Sequence, residues 1–178
     1  LGTFHNIYGL LNHDHPFWLC GEAPGEVIPA GYEVIPRRVL TDMFGHLIER
    51  NKRVSRLLQS TPARRFHLMT PPPKGDNDFV GARIKKYRER LVAEVGVADP
   101  RVRLRMWQVE MAVLRSYCQT LGAGVIASPD ESLTAEGFLQ PGCYGPDATH
   151  ANAHYGRLVI ERLVHLASSP EPIPGVGP

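Results

Sequence analysis

The segment Asp147-Ala-Thr-His150 has the residue types and the spacing that proton-transfer chemistry requires. An aspartate three residues before a histidine, just ahead of a predicted helix, can bring its carboxylate to the imidazole Nδ1–H. The carboxylate would then hold the tautomer of the ring and stabilise the imidazolium that forms when Nε2 accepts a proton. Four-residue patterns of this kind also recur by chance. The competing interpretation is a helix N-terminus, with Asp147 or Thr149 accepting backbone amides and His150 in solvent.

Other histidines raise the alternative of a metal site. Three of them lie near the start of the chain, and two more are four residues apart, which could place both on one helix face. Imidazoles at this spacing can ligate zinc, with an aspartate as a further ligand. Because the chain has no His-Glu-x-x-His pattern, and loop hydrogen bonds explain the early histidines equally well, metal binding stays the lesser alternative. The candidate ligands are His5, His13, His15, His150, His154, Asp14 and Asp147.

Three helices are predicted from the spacing of apolar residues. The first covers residues 37–58, and the second opens at Asp99-Pro100, with aspartate as the N-cap and proline in the first turn. On the second helix, Arg101, Arg103 and Arg105 are interpreted as part of a solvated face, since acidic residues are interspersed. The third helix covers residues 152–166. Its predicted buried face consists of Tyr155, Val159, Ile160, Leu163 and Val164.

Two short buried strands are predicted, at residues 65–70 and 124–128, as parallel neighbours. Residues 1–35 are rich in glycine and proline and are interpreted as a long irregular segment. Helices alternating with strands favour an α/β fold, here a three-layer α/β/α parallel sheet, in which ligands collect beyond the carboxyl ends of the strands. Two strands are too few for a stable sheet. We therefore expect an N-terminally truncated domain whose missing strands precede Leu1.

Several blocks of the chain resemble the SGNH hydrolases, the GDSL esterase/lipase superfamily. The block from Tyr144 to Gly156, with the amphipathic helix after it, resembles their last block. The start, Gly2-Thr3-Phe4-His5-Asn6 followed by Gly9-Leu10, is similar to the third block of one bacterial branch, and so are the prolines Pro71–Pro73 after the middle strand. The likeness extends from residue 1 to about residue 166.

The resemblance implies a flavodoxin-like domain over residues 1–167, a Pro-rich disordered tail at 168–178, and a serine-dependent ester hydrolase or acyl transferase. In such an enzyme His150 would be the general base and Asp147 would orient it. Gly2, Thr3, His5 and Asn6 would form the oxyanion and substrate-binding loop. No cofactor is expected, and the substrate would be an acyl or acetyl ester of a small molecule or saccharide.

The sequence departs from the family pattern at two points. The Gly-Asp-Ser block that carries the nucleophile does not occur in these 178 residues, and Thr3 stands where the family usually has asparagine. A non-catalytic domain of the same fold, or a His-rich metal-binding domain, is therefore the alternative function. Five serines lack the strand-to-helix turn that is typical of a nucleophile in this family, namely Ser55, Ser60, Ser116, Ser128 and Ser132.

Composition narrows the class of partner and the compartment. Twenty basic and eighteen acidic residues leave a net charge of +2, which does not favour a nucleic-acid partner. No apolar run approaches the ~18 residues of a membrane span. Cys20, Cys118 and Cys143 are widely spaced and odd in number, which argues against a disulfide framework. We therefore expect a cytoplasmic protein; its oligomeric state is left open.

Overall fold

The computed structural model of the chain has a mixed α/β architecture, in which short parallel strands form two small sheets. Its order of elements is β-β-α-β-α-α-β-α. The structure describes residues 4–5, 9–11, 16–19, 27–50, 60, 63–84 and 93–168.

Four short strands in the described part of the chain pair in parallel, two by two. They are β1 (Phe17–Leu19), β2 (Glu33–Ile35), β3 (Phe66–Leu68) and β4 (Gly124–Ile126). The β3–β4 pair confirms the predicted parallel neighbours, with Phe66 opposite Gly124 and Leu68 opposite Ile126. The interpretation of residues 1–35 as irregular was wrong where β1 and β2 lie. A strand of three residues is too short to show the period on which that interpretation depended.

The helices follow the predicted pattern with shifted boundaries. They are α1 (Arg37–Glu49), α2 (Asn77–Gly81), α3 (Pro100–Thr120) and α4 (Ala153–Ser168), and single 3₁₀ turns lie at Asp130–Ser132 and Pro141–Cys143. Residues 51–58 of the first predicted helix and residues 169–178 of the predicted tail lie outside the described residues. None of the helices in the described ranges has the length and apolar character that crossing a bilayer requires.

Helix α3 has clear signals at both ends. The Asp99 side chain accepts a hydrogen bond from the Arg101 amide at 2.8 Å, and Pro100 occupies the first position, where its missing N–H is not needed. At the other end, Gly122 has φ +62°, and the Ala123 amide donates to the Cys118 carbonyl at 2.9 Å. Glycine adopts this left-handed conformation without steric cost, so the helix ends there.

The packing of α1 against α3 forms most of the apolar core. Trp18 and Leu19 of β1 pack against the first half of this helix pair, and Met69 and Ala123, which flank β3 and β4, pack against the second half. Phe4 contacts both halves. The buried core residues of the two helices are Leu40, Phe44, Ile48, Val102, Met106, Val109, Met111, Leu114 and Cys118.

Helix α4 buries a narrower face than predicted. Tyr155 and Val159 are buried against Leu139 and Cys143, but Ile160 and Val164 are 58% and 59% exposed, so their assignment to the buried face was wrong. Tyr155 also contacts Ser128 at 3.2 Å through its hydroxyl group. The reason is that α4 packs on the loop and 3₁₀ turns around residues 128–144, which cover one narrow side of the helix.

Two of the three cysteines, Cys118 and Cys143, are buried free thiols, and burial raises the pKa of both. Thiols with raised pKa values in apolar surroundings are inert, so both act as small core residues. Cys20 lies outside the described residues.

The N-cap of α3 provides a test of the fold. Replacing Asp99 with alanine removes the cap, and we expect a loss of about 1 kcal/mol in the free energy of unfolding, measured by urea denaturation at pH 7. Asp42→Ala is the matched control, since the Arg38–Asp42 pair is exposed on α1 and should change stability by less than about 0.5 kcal/mol. Equal unfolding midpoints for the two variants would contradict the assignment of Asp99 as the cap.

The stabilisation that Asp99 contributes should depend on pH. Partial burial works against ionisation of Asp99, but hydrogen bonds from Arg101 and the charges of Arg101 and Arg103 hold the pKa of this carboxyl below its ordinary value of 3.8. The stabilisation from Asp99 is therefore present above pH 3.8 and is lost as the pH falls through the folded-state pKa. We expect the stability difference between wild type and Asp99→Ala to narrow in that acid range.

Candidate active site

Asp147 and His150 form a hydrogen-bonded pair in the loop before α4. Asp147 Oδ2 lies 2.6 Å from His150 Nδ1, and Asp147 Oδ1 accepts from the backbone amides of Thr149 and His150, each at 2.8 Å. An ionised carboxylate only accepts hydrogen bonds, so Nδ1 carries the proton and Nε2 of the neutral ring is the acceptor. The His150 side chain is 76% exposed, which leaves the ring accessible from solvent.

Both interpretations of the Asp147 segment describe part of this arrangement. Asp147 does bind backbone amides, but it does not cap α4. Asn152 caps that helix, because its side-chain oxygen accepts from the Tyr155 amide at 3.1 Å. The Asp147 contacts instead close a local turn of the kind that aspartate side chains form with amides two and three residues ahead. The same turn turns the second carboxylate oxygen toward the imidazole.

The loop that carries the pair is closed at its base by Gly145. The Gly145 amide donates to the His150 carbonyl at 2.8 Å, and Tyr144 bridges to Ala151 beside it. A Cβ atom at residue 145 would lie 2.5 Å from the His150 carbonyl oxygen and 2.8 Å from that of Ala151. Only glycine fits here, because any side chain would open the base of the loop.

The electrostatics of the pair favour a charged Asp147. Partial burial would raise the pKa of this carboxyl, but the hydrogen bonds from the His150 and Thr149 amides and from the His150 ring hold it well below its ordinary value of 3.8. Asp147 is therefore a carboxylate throughout the neutral range. A permanent carboxylate on Nδ1 stabilises the positive charge that appears when Nε2 accepts a proton.

Lys74 is a residue of this site that sequence reasoning missed. The residue is 2% exposed, and its Nζ donates to the backbone carbonyls of Gly145, at 3.1 Å, and of Asp147. The ammonium group also lies 4.6 Å and 5.0 Å from the ring centres of Phe79 and Tyr144. These contacts connect the loop after β3 to the loop that carries Asp147 and His150.

Arg103 of α3 is hydrogen-bonded to the backbone of Lys74. Its guanidinium donates to the Lys74 carbonyl at 2.8 Å, to Asn77 Oδ1 at 2.7 Å and to the Ala98 carbonyl, and burial lowers its pKa to about 10. The interpretation of Arg101, Arg103 and Arg105 as part of a solvated face was therefore wrong for Arg103, which is buried. It was also wrong for Arg105, which is half-buried and donates to the Leu19 carbonyl at 2.7 Å.

A second histidine–carboxylate contact anchors the N-terminal segment to α3. Glu110 is fully buried and accepts from the Phe4 amide at 3.1 Å, from the His5 amide at 2.8 Å and from His5 Nδ1 at 2.8 Å. His5 is buried as well, and no described residue lies within hydrogen-bond distance of its Nε2. The other members of the predicted oxyanion loop, Gly2, Thr3 and Asn6, lie outside the described residues, so their role stays a prediction.

A signal for the buried charges is present in the sequence of α3. Arg103 and Glu110 are seven residues apart, and Met106 and Leu114 continue the same helical spacing within the buried face. A charged residue inside an apolar stripe must find hydrogen-bond partners in the protein interior. This pattern indicates that loops, rather than water, cover the positions of Arg103 and Glu110.

The serines in the described part of the chain differ in their exposure to solvent. Ser128 and Ser132 are buried, and their hydroxyl groups contact the Tyr155 hydroxyl at 3.2 Å and the Pro129 carbonyl at 2.6 Å. Ser116 lies exposed on α3, and Ser55 lies outside the described residues.

In the described ranges, no group of three or more histidine, cysteine, aspartate or glutamate side chains could hold a metal ion. The His154 ring contacts Arg157 at 2.9 Å.

Comparison of the chain with protein-family models, curated proteins and solved structures found no match in any of the three.

The carboxylate of Asp147 can be tested by following its titration with ¹³C NMR of the side-chain carboxyl. We expect a midpoint below 3.8 in the wild type. His150→Ala should raise the midpoint, because the contact with Nδ1 is lost, but not to the ordinary value, because the amides of residues 149 and 150 remain. His154→Ala is the matched control and should change nothing. A wild-type midpoint at or above 3.8 would contradict the arrangement described here.

Proposed function

We propose that the chain carries the general base and the oxyanion loop of an SGNH-type serine ester hydrolase, an acyl esterase acting on a small-molecule or saccharide ester. The observation that carries the proposal is the 2.6 Å contact between Asp147 Oδ2 and His150 Nδ1, made by a carboxylate whose other oxygen is held by two amides. This contact assigns the proton to Nδ1 and leaves Nε2 of an exposed ring as the base.

In the proposed reaction, His150 Nε2 takes the proton of an attacking hydroxyl group as its oxygen bonds to the acyl carbon. The carbonyl oxygen becomes an oxyanion, for which amides of the loop around Gly2 and Thr3 would be the hydrogen-bond donors. The imidazolium then returns the proton to the departing alkoxide as the ester C–O bond breaks. Asp147 stays ionised through both steps and stabilises the imidazolium.

The serine nucleophile of such an enzyme belongs to a Gly-Asp-Ser block that these 178 residues lack. The proposal therefore assigns to this chain the base, the carboxylate and the oxyanion loop, and not the attacking serine. No metal or cofactor takes part in the proposed steps.

We further propose that the two parallel strand pairs belong to a three-layer, flavodoxin-like domain. The supporting observation is that β3 and β4 are parallel neighbours connected through α3, since parallel strands need a crossover of this kind. The proposed site would then lie beyond the carboxyl ends of the strands, where Pro71 follows β3 and Ser128 follows β4. We propose a cytoplasmic location, for which the free thiols Cys118 and Cys143 are the support.

The proposed role of His150 predicts a slow hydrolysis of p-nitrophenyl acetate by this chain. An accessible imidazole attacks activated esters or deprotonates water without a serine, so p-nitrophenolate release should exceed the buffer rate. His150→Gln should remove the excess rate, and Asp147→Asn should lower it because it no longer holds the tautomer.

The control for this experiment is His154→Gln, which removes another exposed imidazole four residues further along the chain. It should keep the excess rate of the wild type. If His150→Gln and the wild type release p-nitrophenolate at the same rate, His150 is not a base for ester hydrolysis and the proposed function is wrong.

A further inference from the structure

We propose that Lys74 is a positioning residue for the Asp147–His150 pair, holding the backbone of the loop from which both side chains project. Its catalytic meaning rests on the proposed function, but the placement itself is a separate claim about hydrogen bonds. The inference depends on three features: the buried ammonium group, its two carbonyl partners, and the support that Lys74 receives from α3.

The Lys74 ammonium group binds two backbone carbonyls of the loop that carries Asp147 and His150. Nζ donates to the carbonyl of Gly145, which closes the base of the loop, and to the carbonyl of Asp147 itself. These carbonyls are two residues apart and converge on one nitrogen. The backbone at residues 145–147 is therefore held in one conformation, and the direction of the Asp147 side chain is set with it.

Burial leaves the Lys74 ammonium group without water molecules as alternative partners. The residue is 2% exposed, and its side chain lies against the rings of Phe79 and Tyr144. Burial lowers the pKa of Lys74 to about 8, the nearby Asp147 charge opposes this shift, and the Arg83 charge adds to it. A cation removed from water needs the two carbonyls, and bonds from a charged donor are stronger than neutral ones.

The backbone at Lys74 is itself held by hydrogen bonds from outside the loop. Arg103 donates to the Lys74 carbonyl at 2.8 Å, and the Leu139 amide donates to the carbonyl of the preceding Pro73 at 3.1 Å. Three consecutive prolines before Lys74 restrict the backbone further, because each has a fixed φ. The backbone from which the Lys74 side chain projects is thus held by α3 and the proline segment, independently of the carbonyls that the ammonium group binds.

A purely structural lysine would stabilise the protein and leave the state of His150 unchanged. A positioning lysine has a different consequence, because Asp147 Oδ2 selects the Nδ1–H tautomer only while the loop holds it against the ring. Loss of the ammonium group should therefore change the tautomer of His150 in a chain that is still folded. The tautomer is the readout that separates the two roles.

The experiment compares wild type, Lys74→Met and Arg105→Met by ¹⁵N NMR of the histidine rings, at a pH where His150 is neutral. Arg105→Met is the matched control, since it also removes a cation that donates to a backbone carbonyl, that of Leu19, and it lies away from the loop. We expect the Nδ1–H tautomer of His150 to dominate in the wild type and in Arg105→Met, and to lose its dominance in Lys74→Met. Circular dichroism checks that each variant is folded.

Lys74→Gln replaces Lys74→Met if the methionine variant does not fold. Its amide keeps a donor, but the shorter side chain cannot reach both carbonyls, so the same loss of the Nδ1–H tautomer is expected. If a folded Lys74 variant keeps that tautomer as the wild type does, the positioning role is overturned, whatever its effect on stability.

The p-nitrophenyl acetate assay is run on the same proteins. We expect the His150-dependent rate to fall in Lys74→Met by about the same factor as in Asp147→Asn, because both changes release the Nδ1–H tautomer, and to persist in Arg105→Met. A wild type with no His150-dependent rate, combined with a tautomer change in Lys74→Met, would refute the proposed function and support the positioning role. An unchanged tautomer with a His150-dependent rate in the wild type would refute the positioning role alone.

Discussion

The buried side chains of Arg103 and Glu110 on α3 need hydrogen-bond partners inside the protein, because water does not reach them and an unpaired charge would oppose folding. Seven residues separate them, so they lie two turns apart on one side of the helix. Arg103 takes the Lys74 and Ala98 carbonyls, and Glu110 takes the amides of Phe4 and His5. The segments before β1 and after β3 are thereby brought to the same helix.

The conformation of the candidate site depends on α3 through a short series of contacts. Arg103 holds the backbone of Lys74, the Lys74 ammonium holds two carbonyls of the loop, and Asp147 in that loop holds the ring of His150. Each contact is between a charged group and a partner within the protein, which makes it directional as well as strong. An exposed histidine thus receives a defined tautomer from a buried cation that it does not touch.

The elements that sequence reasoning predicted well are those with strong local signals. The Asp99-Pro100 start of α3 and the β3–β4 pairing agree with the structure. The predictions that were wrong concern positions whose burial or pairing depends on residues distant in the sequence. The β1–β2 pair is too short to show a period, and Ile160 has the correct spacing for burial on α4 but is exposed, since the surface against which α4 packs is narrow.

The sequence by itself indicated that Asp147 and His150 can pair, because a carboxylate three residues before an imidazole is close enough to reach Nδ1 when the chain turns between them. It also determined the ends of the long helix, which depend on nearby side chains and glycine. Only the tertiary structure decided that Lys74 and Arg103 are buried and that Glu110 receives the N-terminal segment. These contacts join residues from 29 to 106 positions apart, and no local preference encodes a partner at that distance, since burial depends on which elements pack over each position.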